Sequence, residues 1–206
     1  MGRGKFISLE GGEGAGKSTQ VRALAEELKR RGLDVLVTRE PGGSDGAEKI
    51  RELLLDKDGQ WDAEAETLLF AAARADHVSK TLAPALDAGR WVLSDRFIES
   101  SLAYQGGAGG LGIEAVRAIN AFAIGEHFPD RTLVLMLDEG ADRARARDGD
   151  ASDRIGGRGA DYHHKVDLAF RLIAAEEPDR VRLVDASGSE EEVTQRLVES
   201  IQDLLP

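Results

Sequence analysis

The chain of 206 residues predicts an α/β fold. A central parallel sheet of about five strands should carry helices on both faces. Three observations point there. Short β-branched and leucine-rich segments alternate with longer stretches of helical apolar spacing, the signature of repeated strand–helix crossovers. Residues 132–137 are apolar at nearly every position, as a central parallel strand covered on both sides must be. The first apolar segment also runs straight into a glycine-rich turn that opens a helix.

Taken in order, Phe6-Ile7-Ser8-Leu9 reads as the first strand. It is followed by Gly11-Gly12-Glu13-Gly14-Ala15-Gly16-Lys17-Ser18-Thr19, which fits G-x-x-x-x-G-K-[ST]. Val21, Leu24, Ala25 and Leu28 then recur at helical spacing until Gly32 stops the pattern. Strand, glycine-rich turn and helix let backbone N–H groups and a helix N-terminus converge on a phosphate chain. Lys17 would reach the β- and γ-phosphates and the Ser18 hydroxyl would ligate Mg²⁺. The stretch is therefore read as a nucleotide-phosphate site.

Val35 to Thr38 gives a second strand, turned by Pro41-Gly42-Gly43. A short helix follows with Ile50, Leu53 and Leu54 as its apolar positions. Residues 64–88 form a long alanine-rich helix. Leu68, Leu69, Ala72, Ala75, Leu82 and Leu86 should mark its buried side, and Pro84 should kink or divide it. Trp91 to Ser94 is a third strand ending in Asp95-Arg96. The five glycines between Gln105 and Gly112 suggest a mobile loop. Ile113, Val116, Ile119 and Ala123 mark the next helix, and Val166, Ala169, Phe170 and Ile173 another, ended by Pro178. Residues 143–160 lack apolar periodicity and read as a lid or loop within a single domain spanning 1–206. Val181 to Val184 is the last strand, and Ser189 with Glu192 caps the final helix.

Composition narrows the function classes. A formal net charge of −11 repels polyanions and argues against nucleic acid as a partner. Cysteine is absent, which excludes disulfides and thiolate chemistry. No apolar run approaches the ~20 residues of a membrane span. Met1 to Lys5 leads directly into the first strand without space for a signal peptide, so a soluble cytoplasmic protein is expected.

Ligands of such sheets sit beyond the carboxyl ends of the strands. Four polar clusters fall there: the glycine-rich loop, Arg39-Glu40-Pro41-Gly42-Gly43, Asp95-Arg96 and the stretch after Asp138. The order of Thr38-Arg39-Glu40-Pro41-Gly42-Gly43, Leu69-Phe70-Ala71-Ala72-Ala73-Arg74, Asp95-Arg96 and Ser100-Ser101-Leu102-Ala103-Tyr104-Gln105-Gly106 resembles bacterial thymidylate kinases from Phe6 to about Ala186.

That resemblance implies a P-loop kinase moving the γ-phosphoryl group of Mg-ATP to dTMP. From spacing alone Phe70 reads more readily as core packing and Arg74 as a solvated helix face. The resemblance instead puts the Phe70 ring on thymine and Arg74 on a thymine carbonyl. It makes Arg96 the clamp on the dTMP phosphate and Asp95 the strand-end acid that holds magnesium or its waters. Ser101, Tyr104 and Gln105 would line the thymidine pocket, with the Tyr104 ring excluding a ribose 2′-hydroxyl. Arg51 would face dTMP, and Glu13 would reach the sugar 3′-hydroxyl.

Arg143, Arg145, Arg147, Arg154 and Arg158 are interleaved with aspartates, so composition alone allows a solvated, charge-balanced loop. The phosphate loop itself has no basic residue from Glu13 to Ala15. In the family that pattern accompanies lid arginines, which singles out Arg147 and Arg154. The chain carries Gly156, Ala160 and Asp167 where family members have Glu, an aromatic and Arg. The resemblance also implies a homodimer. Two other readings stay open on the sequence: a kinase for another pyrimidine nucleotide, and a nucleotide-dependent switch.

Overall fold

The computed structural model describes residues 2–56, 58–137 and 158–206. Among these residues five parallel strands form one sheet in the order β2-β3-β1-β4-β5, with β1 Phe6–Gly11, β2 Val35–Arg39, β3 Trp91–Asp95, β4 Arg131–Met136 and β5 Val181–Asp185. The expected doubly wrapped parallel sheet is the one found. β1 and β4 are buried at every position, as strands flanked on both sides and covered on both faces must be.

Alternation along β1 divides the core. Ile7 and Leu9 pack with Leu24 and Leu28 of α1 (Lys17–Arg30) and Leu197 of α8 (Glu190–Ser200). Phe6, on the opposite face, packs edge-on against Phe97 at 4.9 Å and joins a second core with Leu102 and Phe170. The same face carries Ser8, whose hydroxyl pairs with Thr132 at 2.8 Å, and Glu10. The sequence-predicted capping box at Ser189 and Glu192 is present.

After α2 (Asp45–Leu55), the alanine-rich segment is divided, as expected, into α3 (Ala63–His77), a π-helical turn Val78–Leu82 and α4 (Ala83–Asp87). Pro84 lies in the first turn of α4, where its missing N–H is harmless. The expected buried side of α3 is corrected. Leu82 and Leu86 are buried, but Leu68 is 57% exposed and Ala72 faces solvent. The inward positions of α3 are Glu66, Thr67, Ala71, Ala73, Arg74 and His77. A reading by apolar periodicity misses such a face, because its charges are buried in pairs rather than kept in water.

The glycine-rich stretch is also corrected in its first half, while residues 109–112 do form a largely exposed turn. α5 (Ile98–Ser101) continues without a break into a π-helical turn, Leu102–Ala108, in which Gln105 and Gly106 are buried. Glycine serves close packing here: a Cβ on Gly107 would stand 2.6 Å from Cβ of Ala169 in α7 (Ala160–Glu176). Gly107→Ala should therefore cost about 1–3 kcal/mol in urea unfolding. A loss below about 0.5 kcal/mol, typical of a surface loop, would contradict this packing.

Candidate active site

The phosphate loop leaves the end of β1 and enters α1 at Gly16, which caps the helix with φ 84°. Gly11 has φ 136°, and a Cβ there would lie 2.5 Å from the Leu135 carbonyl oxygen of β4, so only glycine fits the exit from the strand. The first turn of α1 carries no acid, leaving the positive end of the helix dipole open to an anion. Lys17, 7% exposed, donates through Nζ to the carbonyls of Gly11 (3.1 Å) and Gly12 (2.6 Å). Burial, with Arg96 nearby, lowers its pKa to about 8. The Ser18 hydroxyl donates to Asp95 Oδ2 at 2.5 Å, joining the loop to the end of β3. That meeting follows from parallel register, in which Leu9 of β1 lies opposite Asp95.

Arg96 adopts a left-handed φ of 72°, the one non-glycine residue to do so among those described. Three bonds hold this backbone. Arg96 N–H donates to the Leu9 carbonyl (2.9 Å), Ser94 Oγ donates to the Arg96 carbonyl (2.7 Å), and Phe97 N–H donates to Glu10 Oε1 (2.6 Å). The guanidinium then projects beside the phosphate loop. It pairs with Glu13 Oε1 at 2.7 Å, donates to Ser100 Oγ at 3.0 Å, and lies 5.0 Å from the centre of the Tyr104 ring. Burial works to raise the Glu13 carboxyl, but Arg96, Lys17 and His163 together hold it below its ordinary value. The Tyr104 hydroxyl is pushed up to about 12 by burial.

The far end is built around Arg74, which is 2% exposed. Its Nε donates to Glu40 Oε2 (2.7 Å), Nη1 to Ser101 Oγ (3.0 Å) and to Asn120 Oδ1, and Nη2 to the Phe97 carbonyl (2.9 Å). Glu40 Oε1 also meets His77 Nδ1 at 2.9 Å, and His77 Nε2 meets Thr38 Oγ1 at 2.7 Å. Arg51 donates to the Pro41 carbonyl at 2.7 Å. Gln105 donates through Nε2 to the buried Glu66 at 2.9 Å.

One cavity of about 470 Å³ runs from the phosphate loop to Arg74. Glu13, Gly14, Gly16, Lys17, Ser18 and Thr19 line one end, with Asp95 and Arg96 beside them. Arg51, Phe70, Arg74, Ser101, Tyr104 and Gln105 line the other. Among the sequence-predicted positions, Gly11, Gly12 and Ala15 do not line the cavity. Gly11 and Gly12 hold Lys17 through their carbonyls, and Ala15 is buried in the core. Arg147 and Arg154 lie outside the described residues.

Glu10, Glu40, Glu66, His77, Ser100 and Asn120 were not singled out from the sequence as site residues. Glu40 and Ser100 stand within quoted motifs, and their places just beyond strand ends are the signal available for them. Glu10, Glu66, His77 and Asn120 have no such signature, since the side chains they meet are distant in the chain.

A phosphate loop at the end of a central parallel strand, facing a fixed arginine across a cavity large enough for a nucleotide, defines a P-loop phosphotransferase acting on nucleotides. The sequence profile of the family described as Thymidylate kinase matches residues 9–197. A thymidylate kinase of Rhizorhabdus wittichii is 57% identical over 98% of this chain and 99% of that protein. One from Afipia carboxidovorans is 49% identical over 99% of this chain and 91% of its own length. The crystal structure of thymidylate kinase from Ehrlichia chaffeensis superposes with a TM-score of 0.80 at 30% identity, covering 97% of this chain and 99% of that one. The chain belongs to the thymidylate kinase family. It phosphorylates dTMP with ATP, a step toward dTTP.

Burial, with Glu99 beside it, raises the Glu10 carboxyl from 4.5 to about 7, while Ser100, Arg96 and the Phe97 N–H pull it down. An acid whose pKa is higher in the folded than in the unfolded state binds more protons when folded. Its contribution to stability therefore falls as pH rises through the window from 4.5 to about 7. Glu10→Gln should remove that slope. Thermal melts across this window should show the wild type losing ground to the variant as pH rises, and a pH-independent difference would contradict the assignment.

Proposed function

We propose that the reaction runs through the residues lining this one cavity, within a single domain whose segment 143–160 acts as the lid. The observation that carries the reading is the meeting of Arg96 with the phosphate loop, with both lining one cavity. The loop amides, Lys17 and the dipole of α1 take the ATP phosphates. Arg96 takes the phosphate of dTMP. A phosphate oxygen of dTMP attacks the γ-phosphorus as ADP leaves, and no covalent enzyme intermediate is needed. Catalysis of this kind is mostly alignment and charge neutralisation.

Ser18 and Asp95 present a hydroxyl and a carboxylate 2.5 Å apart. Such hard oxygen donors suit Mg²⁺, which keeps most of its ligands as water and phosphate. When bound with ATP, the ion neutralises phosphate charge. Glu13 holds the sugar 3′-hydroxyl, Phe70 and Arg74 take the base, and Arg51 supplements Arg96. Arg147 and Arg154 are the lid cations of this reading. The cytoplasm, which supplies ATP, is its setting. No helix among the described residues is long and apolar enough to cross a membrane.

The homodimer is part of the same proposal. α3 and α6 (Ile113–Ile124) pack side by side and expose Leu68 (57%) and Phe122 (95%). A large apolar side chain left this open marks a surface that a second copy could cover. Phe122→Asp should convert a dimer to a monomer in sedimentation velocity. A wild-type monomer, or a dimer unmoved by the substitution, would remove this face from the proposal.

The site assignment is tested by coupled ADP release. Arg96→Ala should raise the KM for dTMP by about ten-fold or more, the loss expected for a charge-assisted hydrogen bond. The KM for ATP should stay near wild type. Equal weakening of both substrates would refute the clamp.

A further inference from the structure

Glu66 has no role in the chemistry described above, yet it is a carboxylate only 2% exposed on the inner face of α3. Its Oε1 accepts from Gln105 Nε2 at 2.9 Å. Its Oε2 accepts from Arg158 Nη2 at 2.7 Å. Arg158 is itself fixed, with its guanidinium 4.7 Å from the centre of the Tyr162 ring and Nη1 donating to the Tyr162 hydroxyl. That hydroxyl donates onward to the Tyr104 carbonyl at 2.8 Å.

The chemistry of this contact has one consequence. A carboxylate paired with a guanidinium offers only acceptors, so the Gln105 amide must turn its NH₂ toward Glu66. The amide oxygen is then the end of Gln105 left for the cavity that this residue lines. Arg74 lines the same cavity. Four of its five N–H donors are already engaged among the described residues, which leaves one hydrogen on Nη2. The base end of the cavity thus presents a fixed donor and a fixed acceptor.

We propose that Glu66 is a specificity-positioning residue, which locks the Gln105 amide with its carbonyl toward the base. This inference rests on the base pocket assigned under the proposed function. A pyrimidine edge that carries a carbonyl beside a ring N–H, as thymine and uracil do, matches the donor of Arg74 and the acceptor of Gln105. Cytosine carries an amino group beside an unprotonated ring nitrogen and meets both with the wrong polarity. Were the amide free to turn over, Gln105 could offer its NH₂ to that ring nitrogen and part of the discrimination would vanish. The 5-methyl group plays no part, so the device separates dTMP from dCMP but not from dUMP.

The test is the ratio of kcat/KM for dTMP to that for dCMP, read by ADP release in the full chain. Glu66→Gln keeps size and shape but supplies a donor as well as an acceptor, so the Gln105 amide can face either way. The ratio should fall by about ten-fold or more, the cost of one mismatched buried hydrogen bond. The change should reside in the KM for dTMP, with the KM for ATP unmoved. If leaving Arg158 unpaired impairs folding, the double variant Glu66→Gln/Arg158→Met removes the charge pair together and the same ratio is read.

A ratio unchanged in a folded variant would overturn the proposal. So would equal losses toward dTMP and dCMP, which would mark Glu66 as merely structural. A wild-type enzyme with no preference for dTMP over dCMP would instead overturn the base pocket itself.

Discussion

The structure depends on the satisfaction of one buried charge. A guanidinium removed from water costs several kcal/mol unless its donors are met, and removing a partner from such a group is strongly destabilising. Arg74 meets that demand by drawing together Glu40 beyond β2, Ser101 and the Phe97 carbonyl at α5, and Asn120 on α6. Glu40 spends its second oxygen on His77, and His77 returns to Thr38 on β2. The Arg74 end of the cavity is therefore set by directional bonds. Hydrophobic burial, which has no preferred direction, could not place a donor to within a few tenths of an ångström.

The phosphate-loop end follows from sheet topology. Because β1 and β3 are parallel neighbours with Leu9 opposite Asp95, the loop that leaves one strand and the Asp95-Arg96 pair that ends the other emerge side by side. β1 also contributes Glu10, which holds the Phe97 amide directly and the guanidinium of Arg96 through Ser100. Each cation is held by protein partners, Lys17 by the loop carbonyls and Arg96 by Glu13. Neither is therefore a bare buried charge.

Much of this was legible in the chain. The five strands, the phosphate loop, the division near Pro84 and the Ser189 cap rest on local signals: periodicity, glycine placement and capping chemistry. The family motifs named Arg51, Phe70, Arg74, Ser101, Tyr104 and Gln105, and all six line one cavity. Two expectations failed for one shared reason. Hydrophobicity and glycine content misrepresent the buried side of α3 and the start of the glycine-rich stretch after Gln105. Their actual burial comes from ion pairing on one and close helix contact on the other.

The sequence by itself determined the strand–helix alternation and the chemistry of the phosphate loop, because both are written in residues within a few positions of one another. Only the tertiary structure decided which acids serve the arginines and the amide. Glu40 finds Arg74 across 34 positions, Glu66 finds Gln105 across 39, and Glu10 finds Ser100 across 90. A carboxylate looks the same in the chain whether it will be solvated or buried. Its role is set by the partner that folding brings within hydrogen-bonding distance.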